Sequence, residues 1–130
     1  MINNWFITKG FKRVDDALYG YWDDYDYNVR YLILDPYEII PTENASVGQG
    51  VRIGTKQMKF LLHNLETCDM DLIILMHQPW NDLNIHRDGT IQNWADAPVI
   101  FENTWNVLKD RKNKRSGTIT DSDNIVHKYD

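Results

Sequence analysis

The feature that most constrains the fold is a pair of short apolar runs separated by one helical stripe. The first run, "VRYLILDP", predicts a strand over Val29–Asp35, and its Leu-Ile-Leu centre is apolar on both faces, as in a covered sheet. The second run, "LIILMH", predicts a second covered strand over Leu72–His77. A strand, a helix and a strand at this spacing predict a βαβ unit with parallel strands.

The segment between the two runs predicts an amphipathic helix. Thr55 stands at the N-cap position of "TKQMKFLLHNLETC". Apolar residues then recur at i, i+3, i+4 and i+7, namely Met58, Leu61, Leu62 and Leu65. This spacing gives the helix one buried face.

Hairpins and a second helix complete the predicted α/β fold, which we expect to form a single domain over residues 1–130. The acidic "YWDDYDYN" predicts the tip between two strands, Asp88-Gly89 predicts a hairpin turn, and "TDSDN" predicts the turn of a last hairpin. The second helix is predicted to begin at Asp96, with Pro98 in its first turn. Its predicted apolar face consists of Phe101, Trp105 and Leu108.

Composition excludes several classes of function. The net charge of -5 and the pI near 5.2 argue against a surface that binds nucleic acid. Apolar runs of about five residues are far shorter than the roughly 20 needed to cross a bilayer. No basic segment followed by an apolar one opens the chain, and Cys68 is the single cysteine. We therefore expect a soluble protein, by default cytoplasmic.

His77 is the candidate site residue with the strongest positional argument. Ligands gather at the carboxyl ends of parallel strands, and His77 and Asp35 both stand at such predicted ends. Imidazole is also the commonest protein ligand of transition metals. The alternative is that His77 finishes a strand and hydrogen-bonds a backbone carbonyl. For Asp35, followed by Pro36, the simpler interpretation is a carboxylate that starts a turn.

The other chemistry-bearing residues form no recognised pattern. The chain has neither a phosphate-binding Gly-rich loop nor a nucleophile elbow. Cys68 is interpreted as a small core residue and His63 as an exposed or rim residue, while His86 and His127 lack partners at metal-ligand spacing. The acidic cluster could bind calcium, although a solvated turn is the favoured interpretation: Asp23, Asp24 and Asp26.

Three segments together resemble the second half of a calcineurin-like metallophosphoesterase. "YGYWDDYDYNVRYLILDPYEI" resembles the hairpin of that family leading into a strand. "IGTKQMKFLLHNLETCDMDLIILMHQP" is similar to its block running from a glutamine through a leucine pair to His-x-Pro. "PVIFENTWNVLKDRKN" falls where the family has a further helix. The resemblance covers roughly residues 18 to 112.

This resemblance implies a partial αββα sandwich and a metal-dependent hydrolase of phosphomono- or diesters. The family builds a site for two divalent metals (Mn, Fe or Zn) from five short motifs, and only the lone histidine after a strand matches, at His77. The resemblance therefore identifies no catalytic residue here. It implies an internal or C-terminal-half fragment, inactive alone, whose metal pair is complete only in the parent protein. An open sheet edge in such a fragment could self-associate.

The alternative prediction is a non-catalytic α/β binding or assembly module. Five Trp and seven Tyr are many for 130 residues. Exposed aromatic side chains of this kind serve contacts with partners or sugars.

Overall fold

The computed structural model describes residues 10–14, 17–36, 52–76, 83–85, 91–93 and 99–130. The chain divides into two compact units, one of Met1–Asp35 with Thr67–His77 and the other of Pro36–Glu66 with Gln78–Asp130. Both helices and strands are present, so the α/β prediction is confirmed. The prediction of a single domain stays a prediction.

A four-stranded sheet forms the described part of the first unit. Its strands stand in the order β1 (Lys12–Arg13), β2 (Gly20–Asp24), β3 (Val29–Ile33) and β4 (Asp71–Leu75). The β1–β2 and β2–β3 pairs are antiparallel, and the β3–β4 pair is parallel. The predicted parallel orientation of the two apolar runs is therefore confirmed, and the structure adds that the two strands are direct neighbours.

The tip between β2 and β3 is the acidic turn that the sequence predicts. Asp24 Oδ1 accepts hydrogen bonds from the backbone N–H groups of Asp26 and Tyr27, at 3.1 and 3.3 Å. Asn28 closes the turn with a φ of 55°, a left-handed conformation that asparagine tolerates better than most residues. The hydrogen bonds to Asp24 and the left-handed conformation of Asn28 thus define the turn that precedes β3.

The two parallel strands differ in burial. Leu32 and Leu34 are buried, as expected for a covered strand. In β4, however, Ile73 is 42% and Leu75 46% exposed, so the prediction that this strand is covered was wrong. Exposed residues alternate with half-buried ones along β4, so one face of the strand is exposed among the described residues.

Helix α1 (Thr55–Thr67) lies in the second unit up to Glu66. All four residues of the predicted stripe are buried, from Met58 to Leu65. Two polar side chains, Gln57 and Asn64, are buried with them. Asn64 is accommodated because its Nδ2 donates to the carbonyl oxygen of Phe60 at 2.8 Å.

The remaining elements of the second unit are two hairpins and a helix. Strands β5 (Leu83–Ile85) and β6 (Ile91–Asn93) pair antiparallel, as do β7 (Gly117–Thr120) and β8 (Val126–Tyr129). Helix α2 spans Val99–Lys112. Both hairpins and the helix are confirmed, whereas the predicted turn and cap residues lie outside the described residues: Asp88, Gly89, Asp96 and Pro98.

The buried face of α2 differs from the predicted one. Trp105 is 43% exposed, while Ile100, Thr104 and Val107 are buried, so the prediction for Trp105 was wrong. The apolar pattern missed Thr104 because a threonine can be buried in a helix when its hydroxyl is satisfied. Here Thr104 Oγ1 donates to the carbonyl oxygen of Ile100 at 2.6 Å.

The last hairpin packs against α2 through a tyrosine. The Tyr129 hydroxyl donates to Asp110 Oδ2 at 2.6 Å, and burial together with this bond raises the pKa of Tyr129 to about 12. Gly117 lies under the ring, where a Cβ atom would stand 2.5 Å from the hydroxyl oxygen. A side chain at position 117 would therefore displace the ring.

Neither of the two described helices combines the length and the apolar character that crossing a membrane requires.

Truncating Leu32 should destabilise the protein far more than the same change at an exposed leucine of the same sheet. Leu32→Ala is expected to lower the free energy of unfolding by about 2–5 kcal/mol, because it leaves a cavity beside the central strand. Leu75→Ala is the matched control, with an expected loss of less than about 1 kcal/mol. Equilibrium denaturation in urea measures both, and equal losses would contradict the burial of Leu32.

Candidate functional site

The candidate site edge is formed by the carboxyl ends of β3 and β4. Ile33 and Leu75 are register partners, and the N–H of Leu34 donates to the carbonyl oxygen of Leu75 at 2.9 Å, which extends the pairing beyond β3. Asp35, partly buried, follows directly. Two parallel strands thus end side by side, which is the arrangement at which ligands bind in α/β sheets.

His77 itself lies outside the described residues, and its role as a metal ligand stays a prediction. The described chain reaches Met76, the residue after β4. Asp35 and His77 occupy corresponding places in the sequence, each two residues after a member of the Ile33–Leu75 register pair. The structure therefore brings together the strand ends from which both residues follow.

The described side chains do not supply a complete metal site. Among residues 10–14, 17–36, 52–76 and the later described segments, no group of three or more His, Cys, Asp or Glu side chains could hold a metal ion. Two carboxylates of the acidic tip already bind other groups of the protein: Asp24 accepts a backbone N–H of its own turn, and Asp23 pairs with Arg30. Its interpretation as a turn is therefore supported over a calcium site.

The other candidate residues have local structural roles or lie outside the description. His63 is exposed on α1, as predicted. The Cys68 thiol donates to the carbonyl oxygen of Met70 at 3.9 Å and is partly buried. His86 lies outside the described residues. Of the two described positions, His63 and Cys68, the contact of Cys68 with a backbone carbonyl oxygen does not join a nucleophile to a base.

Sequence reasoning missed a carboxylate–imidazole pair between Asp121 and His127. The Nε2 atom of His127 lies 2.6 Å from Asp121 Oδ2. Asp121 Oδ1 accepts the backbone N–H groups of Asp123 and Ile125, at 2.8 and 3.1 Å. The pair closes the β7–β8 turn, and each oxygen of the buried carboxylate has a partner.

The same turn caps helix α1. Asp123 Oδ2 accepts the N–H of Thr55 at 2.9 Å and its hydroxyl at 3.3 Å, while Oδ1 pairs with the guanidinium of Arg52. A carboxylate at a helix N-terminus satisfies free N–H groups and favours the helix dipole. Next to it, Ile53 and Ser122 exchange two hydrogen bonds, at 2.8 and 2.9 Å.

These hydrogen bonds lower the pKa values of Asp121 and Asp123. Burial, the largest influence on Asp121, acts to raise its pKa, but the hydrogen bonds from His127, Thr55 and two backbone N–H groups together hold the pKa below its ordinary value of 3.8. The pKa of Asp123 is lowered chiefly by the backbone N–H of Thr55, with burial opposing and Arg52 assisting. Both carboxylates are therefore ionised at neutral pH.

The contacts of Asp121 and Asp123 with the β7–β8 turn, with His127 and with the start of α1 form one turn network. Its geometry indicates a structural role. The side chain of His127 is 9% exposed and that of Asp121 is fully buried, and the hydrogen bonds of the carboxylate go to this imidazole and to its own turn. The signal in the sequence was the "TDSDN" turn with a histidine six residues after its first aspartate. No spacing rule connects that turn to Arg52 or Thr55, about 70 residues earlier.

Comparison with known proteins gives no match: no protein-family model, no curated protein and no solved structure matches this chain. Function is therefore inferred from the residues and their geometry.

We expect acid to destabilise the protein by protonating Asp121 in the turn network. An aspartate whose pKa is lowered by folding contributes stability above its unfolded pKa of 3.8, and this contribution is lost as the pH falls toward the lower folded value. Asp121→Asn should cost about 1–3 kcal/mol at pH 7 and flatten the loss of stability below about pH 4. Thermal unfolding between pH 2 and 7 measures both effects.

The control for this experiment is Asp26→Asn, which removes an equal charge from an exposed turn. It should change stability by no more than about 0.5 kcal/mol at neutral pH. An Asp121→Asn profile that coincides with the Asp26→Asn profile would contradict the assignment.

Proposed function

We propose that this chain is part of a metal-dependent phosphoesterase in which His77 is one metal ligand. The observation that supports this most directly is the parallel pairing of β3 with β4, in register from Val29–Asp71 to Ile33–Leu75. The order hairpin, strand, helix, parallel strand is the order implied by the resemblance to calcineurin-like metallophosphoesterases. In the proposal, the sheet is half of an αββα sandwich.

The proposed chemistry requires ligands beyond those of the described residues. A pair of divalent metals clamps a phosphoryl group and activates a bound hydroxide, which takes several carboxylate and imidazole ligands. Imidazole suits Fe and Zn, and Mn is held mainly by the carboxylates of such a site, so His77 fits a mixed set of ligands for these metals. The described side chains form no complete ligand set. The proposal assigns the remaining ligands to the other motifs of the family, which this sequence lacks.

The substrate class in this proposal is a phosphomono- or diester. Asp35 follows the neighbouring strand end and would stand beside the reacting group as a charged or hydrogen-bonding side chain. Its partial burial is compatible with such a position. Its simpler role, the start of a turn into Pro36, requires no substrate.

A second candidate function is a non-catalytic assembly module. The specific observation in its favour is β4, which ends the described sheet and exposes Ile73 and Leu75. An apolar edge strand can pair with the same strand of a second copy. This candidate requires no metal, so binding of a metal at His77 distinguishes the two.

Manganese binding tests the assignment of His77. Paramagnetic Mn²⁺ should broaden the amide NMR signals of Leu34, Asp35 and Met76, because a bound ion would lie at the strand ends. His77→Ala should remove this broadening, whereas His63→Ala, which alters an exposed helix histidine, should leave it intact. Broadening that persists in His77→Ala would refute the ligand assignment.

Hydrolysis tests the incompleteness of the site. The purified 130-residue chain with Mn²⁺ should hydrolyse p-nitrophenyl phosphate and its bis-ester no faster than Mn²⁺ alone, because one histidine cannot hold two metals. Release of p-nitrophenol is the measurement. Robust metal-dependent hydrolysis by this chain would show that the ligand set is complete and would contradict the proposal.

A further inference from the structure

A second feature of the sheet is a pocket beside the outer edge of β2. It has a volume of about 340 Å³ and is lined by Gly10, Lys12, Tyr21, Trp22, Asp23 and Tyr25. It arises because β1 has two residues and pairs only with Gly20 and Tyr21, so that β2 continues past it. The volume falls in the lower part of the range of small-molecule sites, which suits one or two sugar rings.

Trp22 provides a rigid aromatic wall for this pocket. Its indole stacks on Tyr31, its cross-strand partner, with ring centroids 5.3 Å apart and an interplanar angle of 21°. Gly10 lies against the edge of the indole, where a Cβ atom would stand 3.6 Å from Nε1. The ring is nevertheless 40% exposed. A ligand that covers it would gain apolar contact without having to order the side chain.

Two charged side chains, Asp23 and Lys12, line the same pocket. Asp23 accepts two hydrogen bonds from Arg30, from Nε at 2.6 Å and from Nη2 at 2.8 Å. These bonds lower the pKa of Asp23, and the guanidinium also lies over the ring of Tyr21, 4.0 Å from its centroid. The Tyr25 hydroxyl also donates to Asp23 Oδ2, at 3.5 Å. The carboxylate is thus fixed and ionised, and a ligand hydroxyl would bond to it at Oδ1. The exposed Lys12 adds an ammonium donor.

We propose that this pocket binds a neutral hexopyranose, free or at the end of a glycan. A pyranose has one apolar C–H face, which fits the indole of Trp22, and a rim of hydroxyl groups, which both donate and accept. The rim suits a pocket that offers the acceptor Asp23 beside the donor Lys12. Tyr25, 82% exposed at the pocket mouth, adds a second aromatic contact.

The pocket is distinct from the proposed phosphoesterase site. Trp22 and Asp23 pair with Tyr31 and Arg30, toward the beginning of β3. Asp35 is five residues further along the chain than Arg30, roughly 16 Å away at the rise of a strand. A sugar in the pocket is therefore not the group undergoing hydrolysis, and this inference does not depend on the proposed function.

Saturation-transfer NMR tests the proposal with the methyl glycosides of glucose, galactose, mannose and N-acetylglucosamine as probes at millimolar concentrations. At least one glycoside should receive saturation and shift the Trp22 Nε1–H signal. Trp22→Ala should weaken binding at least about tenfold. Trp105→Ala is the matched control, because Trp105 is as exposed as Trp22 but lies on α2, and it should leave binding unchanged.

Tyr25→Ser keeps the test decisive if Trp22→Ala fails to fold, since Tyr25 is exposed in a turn and its loss leaves the Trp22–Tyr31 stack intact. This variant should also lose most of the binding. The proposal is overturned if no glycoside binds, if folded Trp22→Ala or Tyr25→Ser binds as the unaltered chain does, or if adenosine occupies the pocket in preference to every glycoside.

Discussion

The first unit depends on the hydrogen-bond ladders on both sides of β3. One ladder pairs the strand with β2 across a four-residue turn, and the other pairs it with β4, which is distant in sequence. Each ladder holds five residues in register, and every residue position in β3 has a partner on both sides. Both features of functional interest follow from this arrangement. The aromatic pocket lies toward the beginning of β3, and the proposed metal edge lies at its end.

The second unit is organised by a turn rather than by a strand. Asp121 accepts a backbone N–H within the β7–β8 turn, and Asp123 accepts the N–H of Thr55 at the N-terminus of α1. The first contact is local, whereas the second joins residues 68 positions apart. Because both carboxylates are stabilised in their ionised form, charged hydrogen bonds connect the last hairpin to the first helix. The partly buried His127 belongs to the same set of contacts through its bond to Asp121, which gives a structural role to a histidine that fits no metal-ligand spacing.

Much of the fold could be predicted because its signals are local. The stripe from Met58 to Leu65 predicts the helix face correctly, and turn residues correctly predict the tips of the β2–β3 and β7–β8 hairpins. The prediction failed where burial depends on distant neighbours. The apolar side chains of Ile73 and Leu75 are typical of a covered strand, yet both lie on the exposed face of β4. Thr104 is buried although polar, because a hydrogen bond within its own helix satisfies the hydroxyl.

The sequence by itself determined the two helices, the hairpins and the parallel relation of the two apolar strands, because periodicity and turn chemistry act over a few residues. It also placed Asp35 and His77 after those strands. It did not determine β1, which has only two residues. The tertiary structure alone decided which side chains meet across long separations. The Asp123–Thr55 cap and the pocket beside β2 depend on how strands and turns come together in space. No spacing along the chain encodes those contacts, since they are fixed by register and packing.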